Sequence, residues 1–174
     1  MKHLFLVYEG CCFYEIVTMG YFLRYSGLDT LYVTPDGESV ACAEGFRVQA
    51  DQALPAVDVE TVGSVFVPGG RTRLDTKAQL HTPAVYELLN RVRDRGALVA
   101  GICAGVDVLE AAGLLRGLRS THSEAADCLL DHGVLTARAN AYIDFALEGA
   151  RALGLFANEE DLRETADFWK RRIG

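Results

Sequence analysis

Gly101-Ile-Cys-Ala-Gly105 places a thiol between two glycines at the point where the hydrophobic period of the chain changes. Residues 97–102 form a short apolar run of the kind that makes a buried strand, and Val106, Leu109 and Leu114 then fall near helical spacing. Gly-x-Cys-x-Gly is the thiol form of the Gly-x-Ser-x-Gly nucleophile elbow, where a sharp strand-to-helix turn strains the central residue and requires small neighbours. Cys103 in that position points outward over a sheet, beside the positive end of the following helix, and that field favours thiolate over thiol. The expectation is a depressed Cys103 pKa and nucleophilic addition to an electrophilic carbon. The alternative reading of the same residues is a buried structural cysteine followed by a small-residue helix start.

Three further groups could serve such a thiol. Glu15, in Gly-Cys-Cys-Phe-Tyr-Glu, falls on the first turn of a predicted helix but is flanked by Phe13, Tyr14, Ile16 and Val17. Burial on both sides would raise its pKa and let it exchange a proton with a neighbouring thiol, as acid and as base. In Val-Pro-Gly-Gly, Gly70 can turn its N–H toward the crevice and, with the N–H of Ala104, form an oxyanion hole, although a tight turn alone would also use two glycines. His122 ends a predicted strand in Arg-Ser-Thr-His, whereas His3, His81 and His132 fall in the first strand, a loop and a predicted helix end. An imidazole there can hold a thiolate as an ion pair or shuttle its proton. Cys11, Cys12, Cys42, Cys103 and Cys128 form no CxxC pair and no metal-ligand spacing, and their odd number favours free thiols. No residue set calls for a metal or an organic cofactor.

These side chains meet only if an open sheet brings its strand ends together. Apolar strands and amphipathic helices alternate along the chain, which argues for an α/β fold with a mainly parallel sheet covered on both faces. Residues 3–10 read as the first strand, 14–27 as a helix ended by Gly27, and 29–34 as the second strand. A hairpin around Val40 and Val48 is expected at the sheet edge after Pro35-Asp36-Gly37, and 64–70 is a central strand broken by Pro68 and the two glycines. The helix over 82–96 has Thr82 as N-cap, Pro83 in the first position and Gly96 beyond the end. After the elbow the pattern predicts a short strand at 118–122, a helix over 123–133, a strand at 134–138 and a helix over 142–154. A final amphipathic helix over 158–174 is capped by Asn158.

All 174 residues suit one domain, and half of them are hydrophobic, so a core is available. With 17 basic against 24 acidic residues the net charge is −7, and the bases are scattered, which excludes nucleic acid as the expected partner. No apolar run approaches a bilayer span and the first ten residues do not make a signal peptide, so the expectation is a cytoplasmic protein with no membrane association.

Taken together, residues 10–27, the Phe-Val-Pro-Gly-Gly turn and residues 100–122 resemble the ThiJ/PfpI superfamily over nearly the whole chain. Its branches include the parkinsonism-associated deglycase, glyoxalases that need no glutathione, peptidase-like and chaperone-like proteins and isonitrile hydratases. The resemblance implies a flavodoxin-like three-layer α/β/α sandwich of the class I glutamine amidotransferase type. It assigns the nucleophile to Cys103, the conserved acid to Glu15, the nearby histidine to His122, and the facing N–H groups to Gly70 and Ala104. It also implies a small-molecule substrate and a homodimer, for which Met19, Tyr21, Phe22 and Tyr25 on the first helix offer apolar surface.

Ala104 stands where the peptidase-like branch has histidine, which argues against proteolysis, and where isonitrile hydratases have threonine, which weakens the implication of that activity. Tyr21 stands where the deglycase branch has the partner aspartate that supports the histidine, so His122 is expected to lack its carboxylate. Two readings therefore stay open. One is an enzyme adding Cys103 to a 2-oxoaldehyde or an isonitrile with Glu15 moving the proton. The other is a non-catalytic redox or chaperone-like protein in which Cys103 is oxidised; a ligand-binding module ranks behind both.

Overall fold

The computed structural model describes residues 1–70 and 79–170. Its strands are β1 (Lys2–Leu6), β2 (Asp29–Thr34), β3 (Val40–Ala41), β4 (Arg47–Val48), β5 (Gln52–Ala53), β6 (Val62–Val67), β7 (Leu98–Ile102), β8 (Cys128–Asp131) and β9 (Val134–Ala137). Among the described residues the α-helices are α1 (Tyr14–Tyr25), α2 (Pro83–Asp94), α3 (Ala104–Ala111), α4 (Tyr142–Ala152) and α5 (Glu159–Lys170). The last four residues of the expected final helix lie outside the described residues.

Seven strands form one sheet in the order β5-β2-β1-β6-β7-β9-β8, parallel throughout except for β8. β6 and β7 are buried at every position, as parallel strands covered on both faces must be. The chain steps from β1 outward to β2 and then from β6 the other way to β7 and β9. Right-handed crossovers therefore put α1 and α2 on opposite faces. The strand order reverses between β1 and β6, and ligands of open α/β sheets gather at the carboxyl ends of the strands at such a reversal. Glu15 and Gly69 follow those two strand ends, and Cys103 follows the next strand over.

Local chemistry explains the boundaries. Thr82 Oγ1 accepts the N–H of Val85 at 3.3 Å and Pro83 follows it, so α2 begins as its sequence requires. Asn158 Oδ1 accepts the N–H groups of Glu160 and Asp161 at 2.9 and 3.0 Å, which caps α5. Phe13, at the start of α1, offers no side-chain cap. Glu44 of the β3–β4 turn does so instead, accepting the N–H of Tyr14 at 2.8 Å.

Two expected elements differ. The β3–β4 hairpin exists, with Val40 opposite Val48, but it forms a separate two-stranded sheet and β5 takes the edge of the main one. The hairpin is held instead by the chain leaving β1: the Gly10 N–H donates to the Ala41 carbonyl at 2.8 Å and Glu9 Oε2 accepts the N–H of Ala41, also at 2.8 Å.

The strand expected at 118–122 and the helix expected over 123–133 are replaced by turns followed by β8, antiparallel to β9. The hydroxyls of Ser120 and Ser123 capture local backbone, with Ser123 Oγ accepting the Ser120 N–H at 2.9 Å and Ser120 Oγ the His122 N–H at 3.3 Å. His132 and Gly133 both have positive φ, 44° and 77°, which is the backbone a two-residue hairpin turn needs. The apparent helix end was therefore a hairpin turn.

α3 lies so close to β6 that Gly105 admits no side chain: a Cβ there would stand 2.0 Å from the Val67 carbonyl oxygen. Gly105→Ala should destabilise the fold by about 3 kcal/mol or more, since rigid backbone rather than a side chain must move. Urea unfolding at equilibrium measures this, and a loss below about 1 kcal/mol would mean that α3 can back away from β6 at little cost.

Candidate active site

β7 delivers Cys103 into a backbone conformation that side chains seldom adopt, φ 56° and ψ −126°. Such a residue costs roughly 1–3 kcal/mol and persists only when its surroundings fix it. Here the Cys103 N–H donates to the Ala137 carbonyl at 2.9 Å, and the Cys103 carbonyl accepts the Val106 N–H at 3.1 Å. The N–H of Ala104 faces the sulfur.

Glu15 comes to the thiol from α1. It is the acid of the helix's first turn yet is only 2% exposed. Its Oε2 accepts the N–H of Gly69 at 2.6 Å, its carboxyl is hydrogen-bonded to the Cys103 thiol, and the Tyr14 hydroxyl donates weakly to Oε1 at 3.5 Å. The close approach depends on Gly69. A Cβ at that position would lie 2.6 Å from Cys103 Cβ, 2.8 Å from Sγ and 2.9 Å from Glu15 Oε2. Gly69 is the residue that sequence reasoning passed over in favour of its neighbour; the Pro-Gly-Gly run marked the turn but not which glycine touches the thiol. Gly70 stands one residue on, in an isolated antiparallel bridge with Cys11, and the Cys12 N–H donates to the Gly69 carbonyl at 2.9 Å.

The protonation of the pair departs from expectation. Burial pushes the Glu15 carboxyl up to about 7, against the opposing pull of its hydrogen bonds from Gly69 and Cys103. Cys103 is not depressed: burial and then the Glu15 charge push its thiol up to about 11, with the Ala104 N–H pulling the other way. The pair thus releases one proton near 7 and holds the second well into the alkaline range. Just above neutrality it is a carboxylate hydrogen-bonded to a thiol, a base beside its acid. Burial also pushes Cys12 and Cys128 up to about 12.

His122 is also differently supported than expected. Its Nδ1 lies 3.0 Å from Glu110 Oε2 and its Nε2 3.5 Å from Asp107 Oδ1, so two carboxylates of α3 flank the ring. The expectation that His122 lacks an acid fails because α3 supplies two from its own chain, where only α1 had been considered. Asp107 also bears electrostatically on Cys103. Asp107, Glu110 and His122 bring one ligand atom each within 4.8 Å of one another, a set that could hold a cation, although ion pairing alone accounts for the spacing. The other three histidines belong to structure: His3 Nδ1 meets Ser64 Oγ at 2.8 Å, His81 Nδ1 meets the Tyr86 hydroxyl at 3.0 Å, and His132 Nδ1 meets Asp131 Oδ1 at 2.7 Å.

A doubly wound α/β domain with a strained cysteine elbow and a buried carboxyl against the thiol defines a class of cysteine-centred proteins of the glutamine amidotransferase-like type. The model of the DJ-1/PfpI family matches residues 1–152, and the chain belongs to that family, as the ThiJ/PfpI resemblance implied. A glutathione-independent glyoxalase from Caenorhabditis elegans is 32% identical over 68% of this chain, a match that spans 62% of that relative's length. A deglycase from Pyrococcus horikoshii is 26% identical over 83% of this chain and 86% of its own. Among solved structures, a DJ-1 superfamily protein from Agrobacterium tumefaciens superposes with a TM-score of 0.85 at 27% identity over 97% of both chains. Toxoplasma gondii DJ-1, at 24% identity and a TM-score of 0.80 over 97% of each chain, shares the fold.

The Glu15 carboxyl keeps its proton to higher pH in the folded chain than in the unfolded one. The folded state therefore binds the extra proton between about 4.5 and about 7, and stability falls as pH rises through that window. The loss is on the order of 3 kcal/mol, at about 1.4 kcal/mol per pKa unit. Glu15→Gln removes the titration, so the difference in unfolding free energy between wild type and Glu15→Gln should fall by that amount from pH 4 to pH 8. A difference that does not change with pH would show that Glu15 titrates as an ordinary solvated acid.

Proposed function

We propose that this chain is a cysteine-dependent enzyme of the glyoxalase or deglycase type, acting on a 2-oxoaldehyde or an adduct of one. The observation that carries the reading is the hydrogen bond between the Cys103 thiol on its strained elbow and the buried Glu15 carboxyl. The names of the nematode and archaeal relatives favour this electrophile over an isonitrile.

The chemistry needs no electron acceptor. Cys103 sulfur bonds to the aldehyde carbon as its proton passes to Glu15, and the carbonyl electron pair moves to oxygen. The N–H groups of Gly70 and Ala104 receive that oxyanion. Glu15 then returns the proton to give a hemithioacetal. Moving the C1 proton to C2 through the same carboxylate oxidises C1 and reduces C2, which yields a thioester of a 2-hydroxy acid. Water releases the acid and restores the thiol. His122, its ring held between Asp107 and Glu110, acts on the thiol indirectly, through Asp107, whose charge bears on Cys103.

The five free thiols support a reducing, cytoplasmic setting, and no described helix is long and apolar enough to cross a membrane. We also infer a homodimer. Met19 and Phe22 are buried within the chain, but Val17, Tyr21 and Tyr25 leave one side of α1 at 48%, 51% and 81% exposure. Light scattering should give about twice the 19.0 kDa chain mass at micromolar concentration, and the chain mass alone would refute the dimer.

With methylglyoxal as substrate, Cys103→Ser should abolish turnover and Glu15→Gln should lower it on the order of 10²-fold. His122→Ala should cost less than either. Because the working form has Glu15 unprotonated, kcat/KM should rise with pH through about 7, and that inflection should vanish in Glu15→Gln. Equal rates for wild type and Cys103→Ser on methylglyoxal would rule out this substrate class. An alkyl isonitrile assayed in parallel would then show whether the other electrophile is used.

A further inference from the structure

Cys11 and Cys42 take no part in the chemistry above, yet their sulfurs lie 3.7 Å apart in the interior, within hydrogen-bonding distance of each other. They belong to different segments: Cys11 to the stretch between β1 and α1, Cys42 to the residue after β3. Backbone hydrogen bonds bracket the pair. Gly10 N–H donates to the Ala41 carbonyl at 2.8 Å, and Ala43 N–H donates to the Cys11 carbonyl at 2.9 Å. These bonds fix the two segments against each other on either side of the sulfur pair. Closing the sulfurs from 3.7 Å to a bond of about 2.05 Å is a displacement on the scale of side-chain rotation.

We propose that Cys11 and Cys42 are a redox dithiol, and that their disulfide fastens the β3–β4 hairpin to the segment carrying the active-site acid. The oxidant is a low-molecular-weight disulfide. A Cys42 thiolate, from the less enclosed of the two at 5% against 0% exposure, attacks one of its sulfurs and releases one small thiol. Cys11, losing its proton, then displaces the second small thiol and forms the Cys11–Cys42 bond. Two protein thiols and one small disulfide become one protein disulfide and two small thiols. Burial raises both cysteine pKa values, which makes the exchange slow, whereas proximity makes the second step intramolecular.

The link matters to the site because the hairpin already serves it. Glu44 of the hairpin caps the N-terminus of α1, one residue before Glu15, and Cys12, next to Cys11, donates to the carbonyl of Gly69. A covalent tie between these segments fixes Glu44 and Cys12 relative to each other, and with them the start of α1 and the Gly69 turn.

Exhaustive incubation of the intact protein with oxidised glutathione, followed by alkylation and tryptic mapping without reductant, tests this. The peptide 3–24 holds Cys11 and Cys12, and the peptide 25–47 holds Cys42 alone. The expected product joins the two with a loss of two hydrogens, reverts with dithiothreitol, and persists in Cys12→Ser, where Cys11 is the only thiol left in the first peptide. Oxidised wild type should also melt on the order of 10 °C above the reduced form, from closure of a loop of about 30 residues. The proposal is overturned if Cys11 and Cys42 remain free after the other thiols have exchanged, if Cys42 stops at a glutathione adduct, or if the link is lost in Cys12→Ser. The melting comparison is made on one chain in two redox states, so that readout does not depend on the folding of a variant.

Discussion

A carboxyl group taken almost wholly out of water at the first turn of α1 is the constraint around which the rest of the molecule is arranged. Burying a charge is costly unless it is paired and hydrogen-bonded, and no cation of the described residues is among the groups that shift the Glu15 pKa. Its stabilisation is the short bond from the Gly69 N–H, the thiol of Cys103, the Tyr14 hydroxyl and the positive end of α1. They come from three places: the end of β6, the elbow after β7, and the helix itself, which supplies two of them. The arrangement also explains why position 69 is glycine, since any side chain would occupy the space shared by Sγ and Oε2.

The balance of magnitudes decides the state of the thiol. A helix N-terminus contributes roughly 0.3–1 kcal/mol to an adjacent anion, under one pKa unit. A carboxylate about 4 Å away, at an effective dielectric of about 20, opposes a second negative charge by about 4 kcal/mol. Desolvation acts in the same direction, so burial and Glu15 together outweigh the eight-residue α3 and the Ala104 N–H. Inferring a thiolate from the elbow alone gave weight to the weaker effect.

The same contrast separates what could be read in the sequence from what could not. Period and punctuation placed β1, α1, β2, β6, α2, β7, α3, β9, α4 and α5, because each carries its own hydrophobic pattern and its own start or stop, such as Thr82-Pro83 or Gly27. Gly-x-Cys-x-Gly located the elbow because the strained turn dictates its neighbours. Residues 120–133 misled because serine hydroxyls and a His-Gly turn override a helix-like spacing of Leu129, Leu130 and their neighbours. Contacts between distant segments left no local trace. Nothing near Phe13 tells that Glu44 caps α1, nothing near His122 tells that Asp107 and Glu110 flank it, and nothing near Cys11 points to Cys42.

The protonation of the pair bears on whether the site is built to turn over or to sense. Peroxide oxidation proceeds through the thiolate, so a sensor cysteine gains rate from a thiol that ionises below ambient pH. Cys103 does the opposite and holds its proton to about 11 while its neighbour gives one up near 7. A thiol kept protonated against a carboxylate reacts poorly with an oxidant that offers no place for the proton. The proposed addition to a carbonyl differs, because the carbonyl oxygen needs a proton as the sulfur loses one and Glu15 would carry it between the two. In the proposed reaction the arrangement that raises the thiol pKa is a working part of acid–base addition, whereas for sensing it is a drawback.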